Sequence, residues 1–169
     1  MQHPPEHLSI AKQIADILCD RNEKIALVET CTRGSITHLI TFYPGSSAFF
    51  DSSVISYSYE SQLNFLGLNR EILGTHGSVS VPAAKQLAQI IRDRAQVDWG
   101  ISATGILGPT GGTKTKPVGT LYVGISHAEP WDSIPSYSSV KEFHFTGNRD
   151  ELTNSFTKAT LKYFLSNLQ

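Results

Sequence analysis

Residues 29–34 bring a carboxylate, two hydroxyls and a thiol together in one short stretch of sequence. The stretch follows the apolar run 25–28, which predicts a buried strand, and it precedes apolar residues at helical spacing from position 36 onward. A polar turn between a strand and a helix is a common catalytic position in α/β proteins, because side chains converge there and free backbone N–H groups point outward. Helix capping by a threonine is the structural alternative, and the turn alone does not exclude it. The reactive side chains are Glu29, Thr30, Cys31 and Thr32.

A second candidate segment, residues 105–115, is rich in glycine. It nearly fits the phosphate-binding pattern G-x-x-x-x-G-K-[ST], because Gly108 and Lys114 stand at the required spacing. Thr113 replaces the second glycine, however, and a strand signal follows from Val118 where a P-loop needs a helix, so we exclude a nucleoside triphosphatase. Closely spaced glycines still allow backbone N–H groups to form an anion-binding nest, and a long turn without a ligand is the alternative. The glycines concerned are Gly108, Gly111 and Gly112.

The rest of the chain supplies the helix and strand signals that must position these two segments. Apolar residues at helical spacing predict helices over residues 8–20, 36–43, 60–66, 80–95 and from 148 to the end. Apolar and alternating runs predict strands over 25–28, 49–57, 99–105, 118–126 and 141–146, with a proline-containing loop over 128–137. This order predicts one α/β domain over residues 1–169, with helices covering a sheet of about five strands.

Composition limits the classes of function. The chain of 169 residues is 40% hydrophobic and 17% charged with a formal net charge of −1, which gives no electrostatic reason to expect nucleic acid or an anionic membrane as a partner. Two cysteines, Cys19 and Cys31, show no metal-ligand spacing, so we expect no metal site and a reducing cytoplasm. We expect no signal peptide, since the first residues lack a basic region before an apolar one. No apolar run approaches the roughly 20 residues that span a bilayer.

Five separated motifs resemble blocks of the CinA C-terminal domain family, in the family's order and over nearly the whole chain. The longest is the glycine-rich loop, in which residues 105–113 are followed by Lys-Pro-Val-Gly-Thr at 116–120. The opening turn resembles the family's E-S-C-T-G-G pattern. The remaining matches are Pro44–Asp51, His76–Ser80 and Gly147–Asp150. The long N-terminal domain of full CinA proteins is absent, so we expect a stand-alone form.

The resemblance implies a three-layer α/β/α fold with a mixed sheet and a hydrolytic activity on an amide. In such an enzyme, nicotinamide mononucleotide and water give nicotinate mononucleotide and ammonia, with no metal or cofactor. The implied partner is a pyridine mononucleotide or a similar phosphate-bearing ligand. The resemblance also suggests a homo-oligomer, which exposed aromatics such as Phe49 and Phe50 would suit. The implied substrate-binding positions are Glu29, Thr32, Arg33, Gly45, Ser46, Thr104, Gly105, Gly108, Gly111, Gly112 and Arg149.

The resemblance implies three catalytic positions, Thr30, Tyr57 and Gln62. Two of them, Thr30 and Gln62, depart from the family pattern. The family's nucleophilic serine is Thr30 here, whose extra methyl group restricts its side-chain rotamer. The activating lysine is Gln62, whose amide cannot accept a proton at neutral pH. Loss of a general base typically costs ~10²–10⁴-fold in rate, so we expect activity to be weak or lost.

Two further departures lie at the same site. Arg33 stands where the family has glycine, and Thr153 stands where the family usually has an arginine four positions after Arg149. Lys114 or Lys116 would replace the missing base if either ammonium group reached the threonine hydroxyl.

Other nucleophile candidates are weaker. Cys31 is expected to be a buried structural thiol. Ser155 and Lys158 lie about one turn apart on the last predicted helix, where we expect a solvated face. Ser138 and Lys141 stand in a predicted strand, where their spacing puts the two side chains on opposite faces.

Three hypotheses follow from the sequence. The first is a nicotinamide-nucleotide amidase with impaired or altered activity. The second is a binding or regulatory module that keeps the mononucleotide pocket without turnover. The third, a purely structural oligomer, gives the glycine-rich loop no reason to be intact.

Overall fold

The computed structural model describes residues 4–128 and 137–169. In this part of the chain the helices are α1 Pro5–Arg21, α2 Ser35–Ile40, α3 Arg70–His76, α4 Val81–Ala95 and α5 Arg149–Leu168. The strands are β1 Ile25–Glu29, β2 Phe50–Ile55, β3 Trp99–Gly105, β4 Thr120–His127 and β5 Tyr137–His144. A 3₁₀ turn at Ser46–Ala48 and a π-helix at Ser61–Phe65 complete the regular structure.

The strands form one mixed sheet in the order β2-β1-β3-β4-β5. Strand β1 pairs in parallel with β2 and β3, whereas β4 runs antiparallel to β3 and β5. The three neighbouring parallel strands therefore end at the same edge of the sheet. The predicted α/β fold with a five-stranded mixed sheet is confirmed.

Helices cover both faces of the sheet and give two apolar clusters. Strand β1 shows how the sequence supplies both, because Ile25 and Leu27 pack with α1, α2 and α5, whereas Ala26 and Val28 pack with α3 and α4. Alternating residues of a strand point to opposite faces, and every residue of β1 is buried. Such a central strand reads as a continuous apolar run instead of an alternating one.

Helix α4 lies unusually close to the sheet. Its N-terminus is capped by Ser80, whose hydroxyl accepts a hydrogen bond from the Ala83 N–H at 3.3 Å. A Cβ atom at Gly100 would lie 2.0 Å from a backbone oxygen of α4, and one at Gly124 would lie 2.2 Å from another. These two glycines therefore set how closely helix and sheet approach.

The structure differs from the sequence-based expectation in several elements. Residues 61–65 form a π-helix inside the predicted helix over 60–66, and α3 had no predicted counterpart. Strand β5 begins at Tyr137, four residues before the predicted start. Most of the predicted loop over 128–137 lies outside the described residues. Phe49 is only 3% exposed, so the expectation that it lies on the surface is wrong, because its ring completes the apolar core.

Candidate active site

The candidate site lies where the three parallel strands end. The Thr30 backbone N–H and hydroxyl both donate to the Ala103 carbonyl, at 3.1 and 3.2 Å, which joins the end of β1 to β3. On the other side, the Ser56 N–H donates to the Glu29 carbonyl at 2.9 Å and joins β1 to the end of β2. Thr104 lies near the end of β3, and its hydroxyl donates a hydrogen bond to the Ser78 carbonyl at 2.9 Å. Ligands commonly bind outside the carboxyl ends of strands in α/β sheets.

The Glu29 carboxylate organises the turn that follows β1. The residue is fully buried, and its two oxygens accept hydrogen bonds from the Thr32 hydroxyl at 2.6 Å and the Gly34 N–H at 3.0 Å. Three further donors are the Ile36 N–H at 3.3 Å, the Thr37 N–H at 2.7 Å and the Thr37 hydroxyl at 2.5 Å. A carboxylate is favoured at this place because the first N–H groups of a helix have no partner within the helix. Glu29 and Thr32 are therefore occupied in positioning the turn.

Thr30 presents the candidate nucleophile, and its side chain is 8% exposed. No lysine ammonium group in residues 4–128 or 137–169 is hydrogen-bonded to this hydroxyl. The neighbouring Cys31 is buried, and burial raises the pKa of its thiol to about 12, although a hydrogen bond with Thr30 opposes the shift. A thiol with such a pKa is protonated at neutral pH and is a poor nucleophile.

Gln62 lies in the π-helix and is 2% exposed. Its segment is attached to the end of β2 by a 2.9 Å hydrogen bond between the Ser61 and Ser56 hydroxyls. Its side-chain oxygen, Oε1, is buried without a hydrogen-bond partner. An unpaired buried acceptor costs about 1–3 kcal/mol, so this oxygen is an open position for a donor.

Neither candidate lysine replaces the base in this structure. The Lys116 ammonium group donates to the His76 carbonyl at 2.6 Å, which fixes it beside the loop before α4. Lys114 lies on the exposed part of the glycine-rich loop. The alternative in which Lys114 or Lys116 activates Thr30 thus receives no support from the observed contacts.

The glycine-rich loop owes much of its composition to its own packing. A Cβ atom at Gly108 would lie 2.6 Å from the Val118 side chain, and one at Gly112 would lie 2.8 Å from the Val118 nitrogen. A Cβ atom at Gly105 would lie 2.6 Å from the Thr120 carbonyl oxygen. Gly111 differs, since it has φ +89° and a Cβ atom there would meet only the Ile106 side chain, at 3.8 Å. Within this loop, Gly111 therefore combines a glycine-dependent backbone with the least crowded surroundings.

Two arginines join α5 to the strand ends. Arg149 donates to the Gly108 carbonyl at 2.6 Å and to the Tyr57 hydroxyl at 3.4 Å. Arg33 has a positive φ of 58°, and its guanidinium donates to the Thr153 hydroxyl at 3.0 Å. An arginine in this backbone region is uncommon. The Arg33 guanidinium thus reaches the residue where the family pattern has an arginine.

The predicted substrate-binding residues Gly45 and Ser46 lie apart from this cluster. They precede β2, and Phe49 accepts a hydrogen bond from the Ile25 N–H at 2.8 Å, at the start of β1. Thr30 follows the opposite end of that strand. The remaining predicted positions lie at the carboxyl ends of the parallel strands, in the loop after β3 or at the start of α5.

The comparisons with known proteins identify the fold and the family. A model of the CinA C-terminal domain matches residues 7–168. The chain belongs to the CinA C-terminal domain family. A CinA-like protein from Syntrophomonas wolfei subsp. wolfei is 38% identical over 148 residues, which are 88% of this chain and 34% of the relative. One from Thermosynechococcus vestitus is 40% identical over 141 residues, which are 83% of this chain and 32% of the relative.

Members of this family differ in length, and the chain spans about a third of the length of these curated relatives. The crystal structure of competence/damage inducible protein CihA from Agrobacterium tumefaciens covers 100% of this chain and 99% of its own, with a TM-score of 0.89 and 25% identity. The CinA-type fold is therefore shared over the whole length of a solved protein.

Sequence reasoning missed two residues that support the site. Thr37 gives two hydrogen bonds to Glu29, and Ser61 ties the segment of Gln62 to β2. Ser61 directly precedes a candidate catalytic position, which is a usable signal. Thr37 carried no such signal, because its role depends on how α2 folds back over the strand end.

The described residues contain neither a membrane-spanning helix nor a cluster of metal-binding side chains. No helix in residues 4–128 or 137–169 is long and apolar enough to cross a membrane. Within the same ranges, no group of three or more histidine, cysteine or acidic side chains is arranged to hold a metal ion.

Proposed function

We propose that this CinA-family chain binds a pyridine mononucleotide, or a similar phosphate-bearing ligand, at the carboxyl ends of β1, β2 and β3. We further propose that hydrolysis of the ligand's amide is slow or lost. Two observations carry this proposal. The Thr30 hydroxyl has no lysine partner among the described residues, and the buried Gln62, whose segment is tied to the end of β2, has an unpartnered Oε1. The parent reaction, in which an amide and water give a carboxylic acid and ammonia, needs a base at this hydroxyl.

The arginines support the binding part of the proposal. The Arg149 guanidinium lies between the glycine-rich loop and Tyr57, and Arg33 reaches α5 one turn further along. Planar guanidinium groups bind phosphate oxygens through paired, charge-assisted hydrogen bonds. In the proposed complex these two side chains hold the phosphate, and the open backbone at Gly111 approaches it.

The polar side chains of Thr30 and Gln62 support a position for the pyridine ring of the ligand and its carboxamide group. Thr30 offers a hydroxyl, and Gln62 offers a buried acceptor for a donor such as the N–H₂ group of a carboxamide. In this arrangement a threonine attack would form an ester with release of ammonia, and water would then cleave that ester. A glutamine accepts a proton neither from the attacking hydroxyl nor from the attacking water, so the ester forms slowly.

A non-catalytic binding or regulatory module is the alternative function, and the open acceptor of Gln62 favours it. A glutamine amide both accepts and donates hydrogen bonds to a neutral ligand, whereas it does not take up a proton. In that case the ligand is bound and released unchanged.

Ammonia release from nicotinamide mononucleotide distinguishes the two functions, with ligand-induced thermal stabilisation measured on the same samples. Slow release that Thr30→Ala abolishes supports the impaired amidase. Stabilisation by the nucleotide without ammonia release supports the binding module. If the nucleotide causes neither ammonia release nor stabilisation, both functions are contradicted. Thr75→Ala, which alters an exposed threonine of α3, is the matched control.

Self-association is the remaining part of the proposal. Exposed apolar side chains follow one another at and after the end of β2, and include Ile55, Tyr59 and Phe65 at 54%, 50% and 60% exposure. Clusters of exposed apolar surface often mark protein interfaces. Sedimentation velocity of the wild-type chain and of Phe65→Ser is the test, and an unchanged monomer in both contradicts this part.

A further inference from the structure

A second cavity lies between β5 and α5, away from the strand ends that form the candidate active site. Its volume is about 530 Å³, which is within the range of small-molecule sites. One wall is the face of β5 that carries Lys141 and Phe143, and the other is the side of α5 that runs from Ser155 to Ser166. We call this cavity the β5–α5 groove.

Aromatic rings line the groove. Phe143 and Phe145 stack with ring centroids 6.1 Å apart and an interplanar angle of 12°. Tyr163 approaches Phe143 edge-on, also at 6.1 Å. All three rings are only partly buried, although they pack against the main core. Their partly exposed apolar surface therefore lines the groove.

Positive charge surrounds these rings. The Lys141 ammonium group lies 5.3 Å from the centroid of the Phe143 ring and 5.6 Å from that of Tyr163. Lys158 and Lys162 also line the groove, and both contact Glu6, at 2.5 and 2.8 Å. Among the described residues, Glu6 is the one carboxylate in ion-pair contact with any of these lysines, and it does not contact Lys141. The groove therefore carries an excess of two positive charges.

Glu6 is ionised at neutral pH. Hydrogen bonds from Lys158 and then Lys162 lower the pKa of this exposed carboxyl group to about 2. An external carboxylate that entered the groove would meet the same two ammonium groups.

We propose that the β5–α5 groove binds a small planar aromatic anion. The ring lies against Phe143 and Tyr163, and the anionic group is held by Lys158 and Lys162, with the Ser155 hydroxyl as an additional donor. Ser155 and Lys158 thus have a binding role here. The Lys158 ammonium is paired with Glu6, so this serine–lysine pair has no free base for catalysis.

Charge favours this occupant over a second copy of the chain. A two-fold contact between two such grooves would bring six lysines and two glutamates together, and like charges across an interface are unfavourable. An aromatic anion instead complements both the rings and the lysines.

The test is a titration of the full chain with 2-naphthoate, followed through backbone amide shifts in NMR spectra. We expect saturable shifts confined to β5 and to α5 from Ser155 onward. The double variant Lys158→Gln with Lys162→Gln removes two charges at exposed positions, and we expect its dissociation constant to rise about tenfold. Lys12→Gln, which removes a lysine of α1 that pairs with Asp16 outside the groove, is the matched control and keeps the wild-type affinity.

The neutral isostere 2-naphthamide tests the requirement for charge, and we expect it to bind about tenfold more weakly. The absence of saturable shifts, equal affinities for the two naphthalenes, or unchanged binding by the double variant overturns the proposal. So does a hexaglutamate peptide that shifts the same amides at lower concentration, or a concentration-dependent dimer that occupies them.

Discussion

The turn at residues 29–34 and the π-helix at Ser61–Phe65 both attach to the ends of β1 and β2, yet they treat their buried polar atoms differently. The Glu29 carboxylate accepts five hydrogen bonds, whereas the Gln62 side-chain oxygen accepts none. Burial makes the first arrangement stabilising and the second costly. The difference teaches that the buried polar atoms of the turn presenting Thr30 are hydrogen-bonded without a ligand. At Gln62, the position of the expected base, a buried oxygen has no partner.

The largest expected effect on stability comes from Glu29, whose carboxylate is fully hydrogen-bonded. Glu29→Gln replaces a carboxylate that faces only donors by an amide whose own N–H₂ group opposes them. We expect the free energy of unfolding, measured in urea, to fall by about 3 kcal/mol. Asp16→Asn, at an exposed ion pair on α1, is the control and should change it little. A loss no greater than that of the control would mean that the turn does not depend on this carboxylate.

Introducing the expected serine and lysine tests the other side of the comparison. In the double variant Thr30→Ser with Gln62→Lys, burial lowers the pKa of the new lysine and favours its neutral, proton-accepting form. We expect ammonia release from nicotinamide mononucleotide to rise at least ~10²-fold over the wild-type chain. Thr30→Ser with Gln62→Met is the matched control, since it has a side chain of similar length without a base. Equal rates in the two variants would show that the site differs from an amidase beyond these residues.

A smaller effect is expected when the open acceptor is removed. Gln62→Leu replaces the unpartnered amide by an apolar side chain of similar size, so we expect the unfolding free energy to rise by about 1 kcal/mol. Stabilisation by the nucleotide should fall in the same variant if Oε1 receives a ligand donor. Gln13→Leu, on the exposed face of α1, is the control. A clear loss of stability in Gln62→Leu would indicate that the amide has a partner in solution.

Cysteine labelling gives the smallest expected response. Iodoacetamide at pH 8 should modify the exposed Cys19 and leave the buried Cys31 unmodified, because the Cys31 thiol has a pKa of about 12. The folded protein binds this proton more tightly than the unfolded chain, whose thiol has the ordinary value of 9.0, so stability from this group falls as pH rises above about 9. Cys31→Ala should lose that part of the decline. Rapid labelling of Cys31 in the folded chain would contradict the assignment.

Residue patterns predicted most of the fold because the periodicity of apolar side chains reflects local structure. Val28 and its neighbours read as a central strand, and Ser80 marked the start of α4. The short α3 and the true class of residues 61–65 were missed, since such short elements are decided by tertiary packing. Phe49 illustrates the same limit, because an aromatic residue beside a turn is buried or exposed according to what the fold places next to it.

The sequence by itself determined the family and the order of the five strands, and it predicted every described helix except α3. It also places a threonine and a glutamine at positions where its motifs lead us to expect a serine and a lysine. Only the tertiary structure decided how these side chains are used. Hydrogen bonds from the turn and from α2 hold the Glu29 carboxylate in place. Contacts between residues distant in sequence hold Lys116 at His76 and bring Arg33 to Thr153. They also leave Gln62 without a partner for its oxygen. Such contacts depend on where separate segments meet in space, and no local pattern encodes that meeting.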